Sequence, residues 1–155
     1  MTRQIAQVAV DNATIHFDKR YSYRIPPPMQ GRVWPGSLVL VPFGRGDKPR
    51  MAVVLAVQEE TQENASPRLK SLWDAAPEQA RLTPDLMELV RFLKERTFCT
   101  WFEAVRAVIP YGAQYRCTLE NGRPVMQNCL NRTTERVYTL AGELPAKPKP
   151  GPRQL

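Results

Sequence analysis

Residues 39–54, VLVPFGRGDKPRMAVV, set two apolar, β-branched runs on either side of a turn crowded with Gly, Pro and Asp. Such runs favour a pleated, buried surface and such a turn reverses the chain, so the stretch predicts a β-hairpin. The first strand is expected over 37–41 and its partner over 51–57. The connecting loop carries Arg45, Lys48 and Arg50, which gives the hairpin a cationic tip.

The preceding residues add strands of the same kind. Over 5–10, Ala6, Val8 and Val10 share one face and Gln7 lies on the other, the alternation of a half-buried strand. Alternation lapses over 11–19, where Asp11-Asn12 is a turn-forming pair, and resumes with Tyr21, Tyr23 and Ile25. Pro26-Pro27-Pro28 removes three amide donors, so the strand should stop there and the chain should continue along an extended, unpaired path. Trp34-Pro35-Gly36 reads as a turn into the hairpin. Four or five short strands without an intervening helix suggest a small closed or partly closed β-barrel, which binds with its loops. Residues 58–66, QEETQENAS, are polar and acidic and predict a flexible excursion.

Two helices should follow. Thr83 can cap a helix with Pro84 in its first position, and Leu86, Leu89, Val90 and Leu93 recur at helical spacing as a stripe to pack on the barrel. Thr100 and Glu103 have capping-box spacing ahead of a second amphipathic helix, which Pro110 ends. The expected class is therefore α+β: a small β-rich, barrel-like domain with two packed helices. Beyond Gly112 the pattern weakens, with one further strand expected over 136–140. The Pro-rich stretch 147–152 has linker composition, as if the chain were cut from something longer.

Charge narrows the function. Lys and Arg number 22 against 15 Asp and Glu, a net charge of +7, which favours an anionic partner through phosphate neutralisation and counterion release. A basic surface kept only for solubility is the plainer reading. Cys99, Cys117 and Cys129 are odd in number and widely spaced, arguing against a disulfide framework and a zinc knuckle. With neither a membrane-length apolar run nor a signal core, the expectation is a cytoplasmic protein without a membrane partner. No phosphate loop, dinucleotide fingerprint, zinc-protease or nucleophile-elbow motif occurs, so no catalytic residue and no metal ligand is assigned. His16, the only histidine, reads as a loop residue. Arg45-Gly46-Asp47 and the sequons at Asn12 and Asn131 read as coincidences of a cytosolic chain.

Three stretches carry a resemblance: FDKRYSYRIP at 17–26, PGSLVLVPFGR at 35–45, and Leu69-Lys70 followed by the helix from Cys99-Thr100 to Ile109-Pro110. Together, over about 3–116, they resemble the N-terminal 3′ DNA-binding domain of primosomal protein N′, the PriA-type replication-restart helicases of bacteria. The resemblance implies a small β-rich fold with appended helices that captures the free 3′ end of a leading strand at a stalled or branched fork. It implies a terminal-nucleotide pocket at Tyr21, Ser22, Gly44 and Lys70. Their chemistry suits that role, since Tyr21 offers a stacking face, Gly44 lets backbone approach the nucleotide, and Lys70 supplies a charge for phosphate. The family has Asp where this chain has Ser22. Asp18, on the same loop, could supply the missing carboxylate or merely cap the turn, and Phe43, Arg45, Lys48 and Arg50 would give support.

In such a family a winged-helix domain, two helicase lobes and a zinc-binding insertion follow, so 117–155 would be a linker and the beginning of a truncated winged-helix region. The chain itself would need no cofactor. ATP, Mg and Zn would belong to the parent, a 3′-5′ DNA helicase, as would contacts with its remaining domains, other primosome proteins and single-strand binding protein. Read without the resemblance, Tyr21 is a core aromatic, Gly44 a turn residue and Lys70 a solvated charge. The competing function is a β-barrel adaptor that docks a protein through the hairpin and Trp34 or Trp73. An RNA-binding module shares the charge and the barrel but lacks an aromatic stacking signature.

Overall fold

A computed structural model describes residues 3–130 apart from 12, 13, 63, 65, 111 and 113. The hairpin is present and longer than its apolar runs: β3 (Leu38–Phe43) pairs with β4 (Lys48–Glu59) from Leu38↔Val53 to Phe43↔Lys48. The ladder runs through Pro42↔Pro49. β1 reaches only Ala52 of β4, and β5 meets β3 only at Val39 and Leu40, so no third strand requires an amide from either proline. Lys48 and Arg50 therefore lie within the strand, and only Arg45 sits in the turn. β4 also takes up Gln58 and Glu59, which the polar pattern assigns to the excursion.

β1 (Gln4–Val10), β2 (Arg20–Ile25) and the two-residue β5 (Asp74–Ala75) complete an antiparallel sheet in the order β2-β1-β4-β3-β5. Between Gln7 and Val8 the β1–β4 register slips past Leu55, a bulge that bends the long strand. Both faces of the central strands are buried, which is why β3 reads as an unbroken apolar run rather than an alternating one. One face, with Ala6, Val8, Val39, Val41 and Val54, meets Tyr23, Ile25 and Leu72. The other, with Ala9, Leu38 and Val53, meets Val90, Phe102 and Val105 of the helices.

The expected barrel is not closed. No ladder joins β2 to β5. Between the two sheet edges passes an irregular segment, in which Arg24 N–H donates to Lys70 O (2.8 Å), Leu72 N–H to Arg24 O (3.0 Å) and Trp73 N–H to Leu40 O (2.9 Å). Pro27–Met29 forms a 3₁₀ turn rather than the extended path expected of the prolines, because their φ near −65° suits that turn equally.

The helices are α1 (Pro84–Arg96) and α2 (Trp101–Val108), and no helix among the described residues is long and apolar enough to cross a membrane. Thr83 accepts from Leu86 N–H, and the Thr100–Glu103 capping box is complete, as expected. The buried face of α1 is turned by one position from the stripe read in the sequence: Met87 and Val90 are buried, whereas Leu89 is 42% exposed. A hairpin not anticipated from the sequence follows, β6 (Tyr115–Glu120) and β7 (Arg123–Asn128), joined by Asn121-Gly122 with both residues at positive φ. Asp74 clips it to the sheet by accepting from Met126 N–H at 2.8 Å. The strand expected over 136–140 and the Pro-rich stretch lie outside the described residues.

Candidate nucleic-acid interface

Three chain segments meet at the open edge of β2. Its alternation points Tyr23 into the core and leaves Tyr21 half-buried and Ser22 exposed. The Tyr21 ring meets Phe43 edge-on, centroids 5.1 Å apart at 90°, and its hydroxyl donates to Phe17 O at 3.1 Å. Tyr21 packs one side against the core and is otherwise part-exposed. The Tyr23 hydroxyl donates to Pro42 O at 3.0 Å and ties β2 to the end of β3. Burial, followed by the nearby Tyr21 and Asp47, pushes the Tyr23 phenol up to about 12, so it stays protonated and keeps donating at neutral pH.

The third segment is placed by the two backbone bonds to Arg24. They hold residues 70–72 alongside β2, so that Lys70 Nζ reaches the hairpin turn, donating to Gly44 O at 2.8 Å and pairing with Asp47 at 2.5 Å. Gly44 sits at φ +75°, with nothing within 4 Å of where a Cβ would be, so the backbone there is open to an approaching ligand.

Between these segments lies a cavity of about 380 Å³, within the range of roughly 300–1,000 Å³ typical of small-ligand sites. Tyr21, Ser22 and Tyr23 line one side, Phe43 and Gly44 another, and Ser66, Arg68, Leu69 and Lys70 the third. All four residues assigned to the terminal-nucleotide pocket, together with Phe43, are brought to this one cavity. Arg45, Lys48 and Arg50 are exposed on the hairpin beyond it and do not line it. Ser66 and Arg68 were not singled out from the sequence, and the available pointer was Arg68's position two residues before Lys70.

Asp18 is not at the cavity. Its carboxylate accepts from Trp101 N–H at 3.1 and 3.2 Å and pairs with Lys94 at 2.5 Å, and its side chain is 4% exposed. It caps the start of α2, so it neither replaces a carboxylate beside Ser22 nor merely closes its own turn. His16 lies exposed in a 3₁₀ turn (Ile15–Phe17), and Trp34 and Trp73 are partly exposed away from the cavity lining. Among the described residues no group of three His, Cys, Asp or Glu is placed to hold a metal ion.

Residues 7–110 match the family described as the 3′ DNA-binding domain (3′BD) of PriA. The replication restart protein PriA of Bacillus subtilis is 32% identical over 107 residues, which are 68% of this chain and 13% of that protein. Its counterpart in Chlamydia trachomatis serovar D is 30% identical over 143 residues, 89% of this chain and 18% of that protein. The chain thus spans less than a fifth of either relative's length.

Proposed function

Because this chain belongs to the 3′ DNA-binding domain family of PriA, we propose that it binds the 3′ end of a leading strand at stalled or branched replication forks. The observation that carries the reading is the convergence of Tyr21, Ser22, Gly44 and Lys70, from three separate segments, on one cavity. The terminal base would lie against the free face of Tyr21, with Phe43 buttressing that ring from its edge. Lys70 would meet the terminal phosphodiester, and Arg45, Lys48 and Arg50 would follow the strand as it leaves. The protein-docking adaptor is not favoured by the family assignment.

Residues 117–155 would lead toward a winged-helix domain. We assign unwinding, with its need for ATP, Mg and Zn, and contacts with primosome proteins or single-strand binding protein, to other domains of a full-length relative. The cytoplasm of a bacterium is the compartment such work requires.

Fluorescence anisotropy on forked DNA tests the function. A fork whose leading strand ends freely at the junction should bind more tightly than one whose leading 3′ end is sequestered in a hairpin loop, with the difference persisting as salt is raised. Equal binding of the two forks at every salt concentration would leave only generic phosphate attraction.

A further inference from the structure

On the other face of β2 the chain leaves aromatic side chains in water. The 3₁₀ turn Ile15–Phe17 buries none of its residues, and Phe17 is 59% exposed. Phe98, in the connection between α1 and α2, is 97% exposed, and Trp101, which opens α2, is part-buried. Hydrogen bonds and ion pairs gather these three at one corner. Asp18, next to Phe17, accepts from Trp101 N–H and pairs with Lys94, whose Nζ in turn donates at 3.0 Å to the carbonyl oxygen of Cys99, next to Phe98. Single exposed aromatics are ordinary, but aromatics gathered at one place mark an interaction surface.

Charge selects the partner. The carboxylates flanking Trp101 are spent, Asp18 on Lys94 and the Trp101 amide, Glu103 on the Thr100 amide. Lys19 and Arg20 are exposed, make no ion pair with a described residue, and the Arg20 guanidinium lies over the Trp101 ring at 5.7 Å. Free cations interleaved with aromatic faces suit unpaired bases and their phosphates. The corner is also continuous with the cavity, since Phe17 O accepts from the Tyr21 hydroxyl at 3.1 Å and from Lys19 N–H at 2.8 Å. Neighbours in a strand point to opposite faces, so the edge of β2 that turns Tyr21 to the cavity turns Arg20 to the corner. That edge stands between two surfaces, as a divider would between parted strands. We propose that the corner is a second DNA contact, in which Phe17, Phe98 and Trp101 stack the bases of the unpaired strand facing the captured 3′ end while Lys19 and Arg20 hold its phosphates. The choice of strand rests on the end-binding function proposed above, but the contact itself needs no end.

The test is fluorescence anisotropy of the full chain with a circular oligothymidylate, which has unpaired bases and no end, over a salt series. Wild type should hold the circle. Phe17→Ala and Phe98→Ala should each weaken it roughly fivefold or more, the scale of one lost base stack, by the same factor at every salt concentration because no phosphate contact is lost. Arg20→Gln should instead flatten the dependence of log affinity on log salt by about 0.7, the share of one phosphate in a single strand. Phe98→Tyr should keep wild-type affinity and Phe98→Leu should not, since leucine keeps apolar bulk without a π-face, and Phe98 is too exposed for either change to disturb the fold. If wild type does not hold the circle, or if both alanine variants hold it as tightly as wild type, the stacking surface is overturned and the corner falls to a protein partner. Equal affinity of Phe98→Leu and Phe98→Tyr would overturn it too. A linear strand of the same length separates this contact from end binding. If wild type binds line and circle equally while the alanine variants weaken both, end binding falls and the corner stands; if the line exceeds the circle and the alanine variants leave the circle unchanged, the corner falls and end binding stands.

Discussion

Lys70 Nζ donates to the carbonyl oxygen of Gly44 at 2.8 Å, joining the segment beside β2 to the tip of the β3–β4 hairpin across the cavity. The two residues are 26 positions apart, brought together where the backbone of Arg24 bonds to Lys70 and Leu72 at the sheet edge. Lys70 is thus at once part of the cavity wall and the tether of its opposite side. Replacing it by alanine removes both roles, so affinity for a free 3′ end should fall about tenfold, the scale of one charge-assisted contact. The pair is exposed, so stability should change by no more than about 1 kcal/mol. Anisotropy on end-bearing and circular DNA, beside a thermal melt, checks this: an unchanged ratio between the two DNAs would remove Lys70 from the site.

Asp18 should behave in the opposite way. Its carboxylate holds Trp101 N–H and Lys94, while Arg20 lies over the Trp101 ring at 5.7 Å, so this corner fixes α2 to the start of β2. Asp18→Ala leaves the part-buried Lys94, still bonded to Cys99 O, without its carboxylate partner and a helix start without its acceptor. A loss of about 2–4 kcal/mol in stability is expected. The ratio of free-end to circular DNA binding should stay as it is, and a selective loss of end binding would place Asp18 functionally in the cavity after all.

Two glycines separate conformational strain from crowding. Gly44 and Gly36 both have positive φ, +75° and +90°, but a Cβ at Gly44 meets nothing whereas one at Gly36 would stand 2.3 Å from the Leu82 carbonyl oxygen. Gly36 also donates to Val54 O and accepts from Leu82 N–H, so neither backbone can withdraw cheaply. Gly44→Ala should cost about 1 kcal/mol, and Gly36→Ala at least about 3 kcal/mol, with strain and a broken close approach combined. Denaturant midpoints measured on the two variants decide it, and equal losses would contradict the packing of the turn before β3 against Leu82.

How much of this could be read beforehand depends on whether a feature is local. The hairpin was legible because its β-branched runs and its Gly-Pro turn adjoin, and both helix starts were legible because Thr83 and Thr100 cap residues three positions away. The open sheet was not, since the link across its edges rests on Arg24 meeting Lys70 and Leu72, a pairing with no periodic signature. The buried face of α1 escapes the pattern because Leu86, Leu89, Val90 and Leu93 satisfy helical spacing, and only the tertiary packing favours Met87 over Leu89. The β6–β7 hairpin did announce itself in Asn121-Gly122, but Arg116, Thr118, Arg123 and Gln127 dilute the alternation on either side. Among the site residues, Tyr21, Ser22, Gly44 and Lys70 came from motif resemblance. Arg68, which lines the cavity, belongs to no motif, and Asp18's partners lie 76 and 83 residues away, so neither placement could be read from spacing.

Acid should loosen the α2 start through Glu103. Its carboxyl is held below its ordinary 4.5, first by the Thr100 backbone N–H and then by the Thr100 side chain, with Arg106 and Lys94 nearby adding to the effect. A folded-state value below the unfolded one means that the unfolded chain binds the proton more readily. The resulting stabilisation is therefore complete above the unfolded value of 4.5, and is lost as pH falls through the lower folded value. Glu60, lowered chiefly by its hydrogen bond with Arg24, acts in the same direction and in the same window. Melting temperature should accordingly be flat near neutrality and decline below pH 4.5. Glu103→Gln keeps an acceptor for the Thr100 amide but cannot titrate, so it should start from a lower neutral-pH stability and decline less steeply in acid, and Glu60→Gln should do likewise. If both single variants retain the full wild-type slope, the acid sensitivity arises elsewhere and neither carboxylate is held as the geometry implies.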